Sequence, residues 1–159
     1  MDNVNVLRNG FMAPDFSLAD NEGNTFNLKQ NLRDCFICLC FFPDGGKDRI
    51  NNYLKNLNQG LPPTASNMPV KIIGVCSEKV IHIKEIKEKL KIGFPILSDD
   101  KFAIADRYYV LDHGSLKPAS YFGVFVIDDT GVIRHRSIEI PGISKFSPEE
   151  LRKEISRLI

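Results

Sequence analysis

No uninterrupted apolar run in this chain exceeds eight residues, and the longest, 35–42, falls far short of the ~20 that a membrane-spanning helix requires. A spanning helix is therefore excluded. Charge of one sign is equally absent: 21 Lys and Arg face 20 Asp and Glu, a net of +1, so no strong field draws the chain to nucleic acid or anionic lipid. No basic stripe with interleaved aromatics is present, which argues against a nucleic-acid role. The opening "MDNVNVLRNG" has an early acid, no basic n-region and no apolar h-region. No secretory leader is legible there, and the expectation is a cytoplasmic protein.

Cysteine is scarce. The four present are Cys35, Cys38, Cys40 and Cys76, with none between Cys40 and Cys76, too few and too unevenly placed for a disulfide framework in a chain of this size. Cys35 and Cys38 spell C-x-x-C, but on a strand they stand about 10 Å apart on opposite faces. Cys38 and Cys40 share a face at nearly 7 Å, the limit of disulfide reach. Their expected role is that of small buried hydrophobes. His82, His113 and His135 are scattered. No His, Cys and carboxylate group has metal-ligand spacing, so neither a metal nor a cofactor is expected. No nucleophile elbow marks a serine hydrolase.

What is present is one domain, 1–159, long enough to bury roughly 70% of the surface of its unfolded chain. "DFSLADNEGNTFNLKQ" alternates apolar and polar residues around Asn21-Glu22-Gly23-Asn24, an N-terminal β-hairpin signal. The run 35–42 suits a strand covered on both faces. After Pro43 and two glycines, Ile50, Tyr53, Leu54 and Leu57 recur at helical spacing, and Gly60 with Pro62 and Pro63 ends that helix. "VKIIGVC" at 70–76 is a second β-branched run, parallel to the first because a helix joins them.

A Lys- and Glu-rich helix over 79–91 follows, with Val80, Ile83, Ile86 and Leu90 inward and Gly93 as its stop. "FPILS" reads as a short strand, "KFAIADRYYV" as one or two helical turns, and "YFGVFVIDDTGVIRHRSIEI" as a hairpin around 128–131. The last helix opens with Ser147 as N-cap, Pro148 at its first position and Glu150 closing a capping box. This order predicts an α/β fold, a mixed central sheet flanked by helices on both faces.

The residues resemble the peroxiredoxins of the alkyl hydroperoxide reductase and thiol-specific antioxidant family, which have a thioredoxin-like fold. The resemblance is carried by "APDFSLADNEGNTFNL", "CLCFFP", "IIGVCSE", "FPILSD" and "FGVFVIDDTGVI", in family order over most of the chain. The bacterioferritin-comigratory subgroup looks nearest, because no long C-terminal arm is visible. The resemblance implies a thiol peroxidase with antioxidant activity, and it allows a homodimer. It also implies a P-x-x-x-T-x-x-C site and a distant arginine, in which a thiolate attacks the peroxide while threonine and arginine hold the oxygens. On this chain the proline is Pro43, threonine becomes Lys47, cysteine becomes Ile50 and the arginine becomes Phe122. No arginine lies between Arg107 and Arg134, and the resolving cysteine of the family meets Lys55.

A hydrocarbon side chain can neither ionise nor accept an oxygen atom, so the peroxidatic cysteine is missing and the frame is expected to serve as a binding or regulatory module. Its partner would be a protein or a small molecule. Two replacement chemistries compete. Cys76 ends a parallel strand at its carboxyl edge, where a thiol could be partly exposed and activated by the following helix; otherwise it is an isostere of the small residue the family has there. Cys35, near the strand entrance, is the weaker thiol candidate. The turn 44–47 offers Gly45, Gly46 and Lys47 to a small anion; otherwise the glycines simply bend the chain and Asp44 caps the helix.

Overall fold

The computed structural model describes residues 7–43, 47–114 and 116–159. Strands β1 (Ser17–Ala19) and β2 (Thr25–Asn27) form the expected antiparallel hairpin. Strand β3 (Phe36–Phe41) is buried at every position. Its alternation sends Phe36, Cys38 and Cys40 to one face and Ile37, Leu39 and Phe41 to the other, so each side of the sheet acquires its own apolar cluster. Helix α1 (Asp48–Leu57) then carries the chain to β4 (Val70–Cys76), which pairs parallel with β3. Helix α2 (Val80–Leu90) leads to β5 (Ile96–Ser98), parallel to β4.

The short helix α3 (Ala103–Arg107) precedes a two-stranded ribbon, β6 (Leu111–Asp112) with β7 (Ala119–Ser120), that no alternation in the sequence announces. Strands β8 (Phe122–Ile127) and β9 (Ile133–Glu139) form the late hairpin, and α4 (Pro148–Arg157) closes the chain. The seven-stranded sheet runs β2-β1-β5-β4-β3-β8-β9. It is mixed, with parallel pairs in the middle and antiparallel pairs outward.

Helices lie on both faces, as expected. Ile50, Tyr53, Leu54 and Leu57 of α1, Ile83 and Leu90 of α2, and Leu151 and Ile155 of α4 bury against one side. On the other, Ile104 and Ala105 of α3 and the neighbouring Tyr108 join Phe16, Leu28, Phe41 and Phe125. Gly74 allows the closest approach within the sheet. A Cβ there would stand 3.2 Å from Ile96 Cγ1 and from the Phe42 ring, a tight fit that would require these side chains to give way. Among the described residues, no helix is long and apolar enough to cross a membrane.

Helix ends follow the sequence at one place and depart from it at another. Ser147 caps α4, its hydroxyl oxygen accepting from the Glu150 N–H at 3.2 Å, with Pro148 at the first position. Helix α2 stops at Lys91 rather than at Gly93. Lys91 takes the left-handed conformation (φ 56°). Asn58, just past α1, holds that turn from both sides: its amide nitrogen donates to Lys91 O at 2.9 Å and its amide oxygen accepts from Gly93 N at 2.8 Å. The stop is made by backbone bonds from Lys91 N and Ile92 N to Lys87 O, and a tertiary clasp holds the turn that follows.

Candidate functional site

The end of β3, the start of β8 and the end of β9 meet at one end of the sheet, where Phe41 pairs with Gly123 and Phe122 with Glu139. Pro43, which follows Phe42 after the end of β3, is half-buried. Residues 44–46 lie outside the described residues, so the expectations on Asp44, Gly45 and Gly46 have no structural counterpart here. Lys47 is exposed and is itself the N-cap of α1, with no side-chain cap bond. Ile50, in the first turn of α1, is 3% exposed and belongs to the same apolar cluster as Phe122, which is 2% exposed. Ile50 and Phe122 are therefore brought together in one packed interior, as the helical stripe through Ile50, Tyr53, Leu54 and Leu57 implied for the first of them.

Phe122 packs with two further rings. Tyr53 lies 4.9 Å from Phe122 and 5.1 Å from Phe146, and Phe122 lies 4.8 Å from Phe146, measured between ring centroids. These spacings belong to tightly packed aromatic pairs. A carboxylate anchors the trio. Glu139, opposite Phe122 in the β8–β9 register and buried, accepts from the Tyr53 hydroxyl at 2.7 Å and from Phe146 N at 3.2 Å through Oε1. Through Oε2 it faces Arg49 Nε at 3.1 Å. Burial, then the bond to Glu139 and its charge, push the Tyr53 hydroxyl up to about 12, with Arg49 opposing.

Sequence reading placed Tyr53 in the apolar stripe but missed that its hydroxyl is used, and it missed Arg49, Glu139 and Phe146 altogether. The one signal was Glu139 itself, which shares a face with His135 and Ser137 by strand alternation.

Two open clefts flank this network and share Lys145. The first, about 490 Å³, is lined by Lys47, Arg49, Glu139, Pro141, Gly142, Ser144 and Lys145. The second, about 440 Å³, is lined by Tyr53, Asn56, Lys145, Phe146, Ser147, Pro148 and Glu149.

Three of the four thiols share the apolar cluster of Ile50 and Phe122, and Cys35 lies in the cluster across the sheet. Cys76 ends β4 as expected, opposite Ser98, but it is only 3% exposed and packs in the same cluster as Cys38 and Cys40. The partial exposure expected of it is thus corrected: strand β4 carries its apolar burial through to its last residue, and α2 begins only at Val80. All four cysteines are buried and outside any disulfide. Burial pushes Cys38 up to about 12 and raises Cys40 well above the usual thiol range, the latter also through Cys38 and Cys76. Cys35 is raised by burial against the opposing Lys71, and its thiol donates to Asn31 O at 3.2 Å. Cys35, Cys38 and Cys40 are therefore poor sources of thiolate at neutral pH.

The histidines do not converge. His82 faces Glu78 at 3.2 Å, His113 faces Asp106 at 3.4 Å, and His135 lies on β9 opposite Val126. Among the described residues no group of three or more His, Cys, Asp or Glu could hold a metal ion.

Comparison with known proteins agrees with this architecture. The AhpC/TSA family profile matches residues 10–136. Peroxiredoxin Bcp of Escherichia coli strain K12 is 25% identical over 136 residues, covering 83% of this chain and 86% of that protein. The putative peroxiredoxin bcp of Coxiella burnetii is 27% identical over 130 residues, covering 78% and 83%. Among solved structures, peroxidoxin BcpB of Mycobacterium tuberculosis superposes with a TM-score of 0.78 at 22% identity, covering 94% of each chain. The yeast mitochondrial 1-Cys peroxiredoxin does so with a TM-score of 0.72 at 28% identity, covering 92% of this chain and 74% of that one. A matched profile over most of the length, on a mixed sheet with this strand order, places the chain in the AhpC/TSA family, as a peroxiredoxin with the thioredoxin fold.

Proposed function

We propose that this family member does not reduce peroxides and acts instead as a binding or regulatory module, a pseudoenzyme on the peroxiredoxin frame. The observation that carries the reading is Ile50: in the first turn of α1, where the resemblance puts the peroxidatic cysteine, stands a 3%-exposed hydrocarbon packed in one cluster with Phe122 and two further rings. Lys47 and Phe122 stand where a threonine and an arginine would hold the peroxide oxygens. A peroxidase needs an accessible thiolate and donors aimed at the departing oxygen, whereas Cys38, Cys40 and Cys76, which share the apolar cluster with Ile50, are each 3% exposed or less, and among the described residues no sulfur lines either flanking cleft. A reducing, cytoplasmic setting suits four cysteines kept as thiols.

The test is direct. Reduced protein is mixed with hydrogen peroxide and, separately, an organic hydroperoxide, and intact mass is followed over time beside a Cys76→Ser variant. The expected result is that no thiol gains oxygen faster than an unstructured peptide cysteine. Rapid gain of one oxygen atom, lost in the variant, would overturn the reading in favour of a divergent thiol oxidoreductase using Cys76.

A further inference from the structure

We infer that the cleft lined by Lys47, Arg49 and Lys145 is a binding site for phosphomonoesters, phosphate groups carrying an organic substituent. The inference rests on the binding-module reading and gives it a ligand class. Its foundation is a charge imbalance at a cleft of about 490 Å³. Three lining side chains are cationic and one, Glu139, is anionic. That carboxylate is already engaged: Oε1 takes the Tyr53 hydroxyl and Phe146 N, and Oε2 takes Arg49 Nε. Asp48 lies in the same helical turn but does not line the cleft. Among the described residues neither Lys47 nor Lys145 has an ion-pair partner. Among the described residues, two positive charges of the lining thus stand without an ion-pair partner, which matches the roughly −1.5 to −2 of a phosphomonoester at neutral pH.

Geometry favours phosphate over a monovalent anion. Arg49 is about half-exposed, and its Nε is pinned by a carboxylate that is only 8% exposed. This holds the guanidinium in place while leaving its two terminal nitrogens for a forked contact, the arrangement that suits phosphate oxygens. The lysines come from two different segments, Lys47 from the start of α1 and Lys145 from the connection between β9 and α4. An anion placed between them would be held from both sides.

Size favours a substituted phosphate over the bare ion. The cleft falls in the range of small-molecule sites, on the order of 300–1,000 Å³, well beyond one phosphate group. Pro141 and Gly142 form an uncharged stretch of the lining that leaves room for the substituent.

The test uses inorganic phosphate and phenyl phosphate as probes, with sodium chloride matched for ionic strength, read by backbone amide NMR on the full chain. Expected are saturable shifts confined to 47–51 and 139–147, with phenyl phosphate binding more tightly than inorganic phosphate. Lys47→Gln and Lys145→Gln, both at exposed positions, should each weaken binding about three- to tenfold, and Arg49→Lys by tenfold or more through loss of the fork. Unsaturated shifts up to about 10 mM, or unchanged affinity in both lysine variants, would overturn the assignment. Should Arg49→Lys fail to fold, the two lysine variants still decide. The peroxide experiment keeps the two claims apart: inert thiols without phosphate binding remove only the ligand class, whereas fast thiol oxidation removes the reading beneath it.

Discussion

Replacing Tyr53 by phenylalanine deletes one oxygen and leaves the ring on Phe122 and Phe146, at 4.9 and 5.1 Å, undisturbed. What is lost is the 2.7 Å hydrogen bond to the Glu139 carboxylate. Hydrogen bonds to charged partners contribute about 1.5–3 kcal/mol. Glu139 keeps Phe146 N at 3.2 Å and Arg49 at 3.1 Å, so the loss falls in the lower part of that range, about 1.5–2 kcal/mol. For a domain of this size that is a melting temperature lower by roughly 3–8 °C.

A second arm follows from ionisation. Burial and Glu139 push the Tyr53 hydroxyl up to about 12, against an unfolded value of about 10. A raised folded value means that this contribution is complete below pH ~10 and is lost as pH rises through about 12. Phenylalanine has nothing to ionise, so the stability gap between wild type and Tyr53→Phe should hold steady at neutral pH and narrow above pH ~10. Urea denaturation at a series of pH values measures both arms. A neutral-pH gap under about 0.5 kcal/mol, or one that does not close in alkali, refutes the account of Glu139 as a satisfied buried anchor.

Two further outcomes are expected. Ile50→Cys should place a thiol in the interior beside Phe122 without restoring activity, its stopped-flow rate with hydrogen peroxide staying within about tenfold of a free peptide cysteine; a rate a thousandfold higher would show that the pocket opens. His135 is held below the usual histidine range by burial, against Glu154 and Glu150, so its contribution to stability is present above pH ~6.5 and is lost as pH falls through the folded value. Melting temperature between pH 5 and 7.5 should therefore fall less steeply in His135→Gln, and an unchanged slope would remove His135 from the acid limb.

The parts of the fold that were legible in the sequence are those written by local period. Strand β3 is continuous because both its faces are covered, and the α1 stripe reads at helical spacing because one face is buried. Ser147 and Pro148 announced α4 through short-range capping chemistry. Lys91 shows where such reading ends: the turn after α2 is clasped by Asn58, 33 residues earlier. The site divides in the same way. Positions Pro43, Lys47 and Ile50 could be numbered from one motif, yet the bond from Tyr53 to Glu139 joins residues 86 apart, and pairing at that separation leaves no local pattern. Cys76 misled because its place at a strand end suggested access, whereas its exposure is decided by the helices packed across that face.

The clustering of Cys38, Cys40 and Cys76 on one side of the central strands gives the domain a built-in gauge of its own integrity. While the sheet is closed, alkylating reagents find no sulfur at the surface; when the sheet opens, several sites react together. Where reclosing outruns labelling, the rate of modification by a maleimide or iodoacetamide tracks the fraction of molecules open at equilibrium. Without any added tag, the chain reports how often its interior meets water.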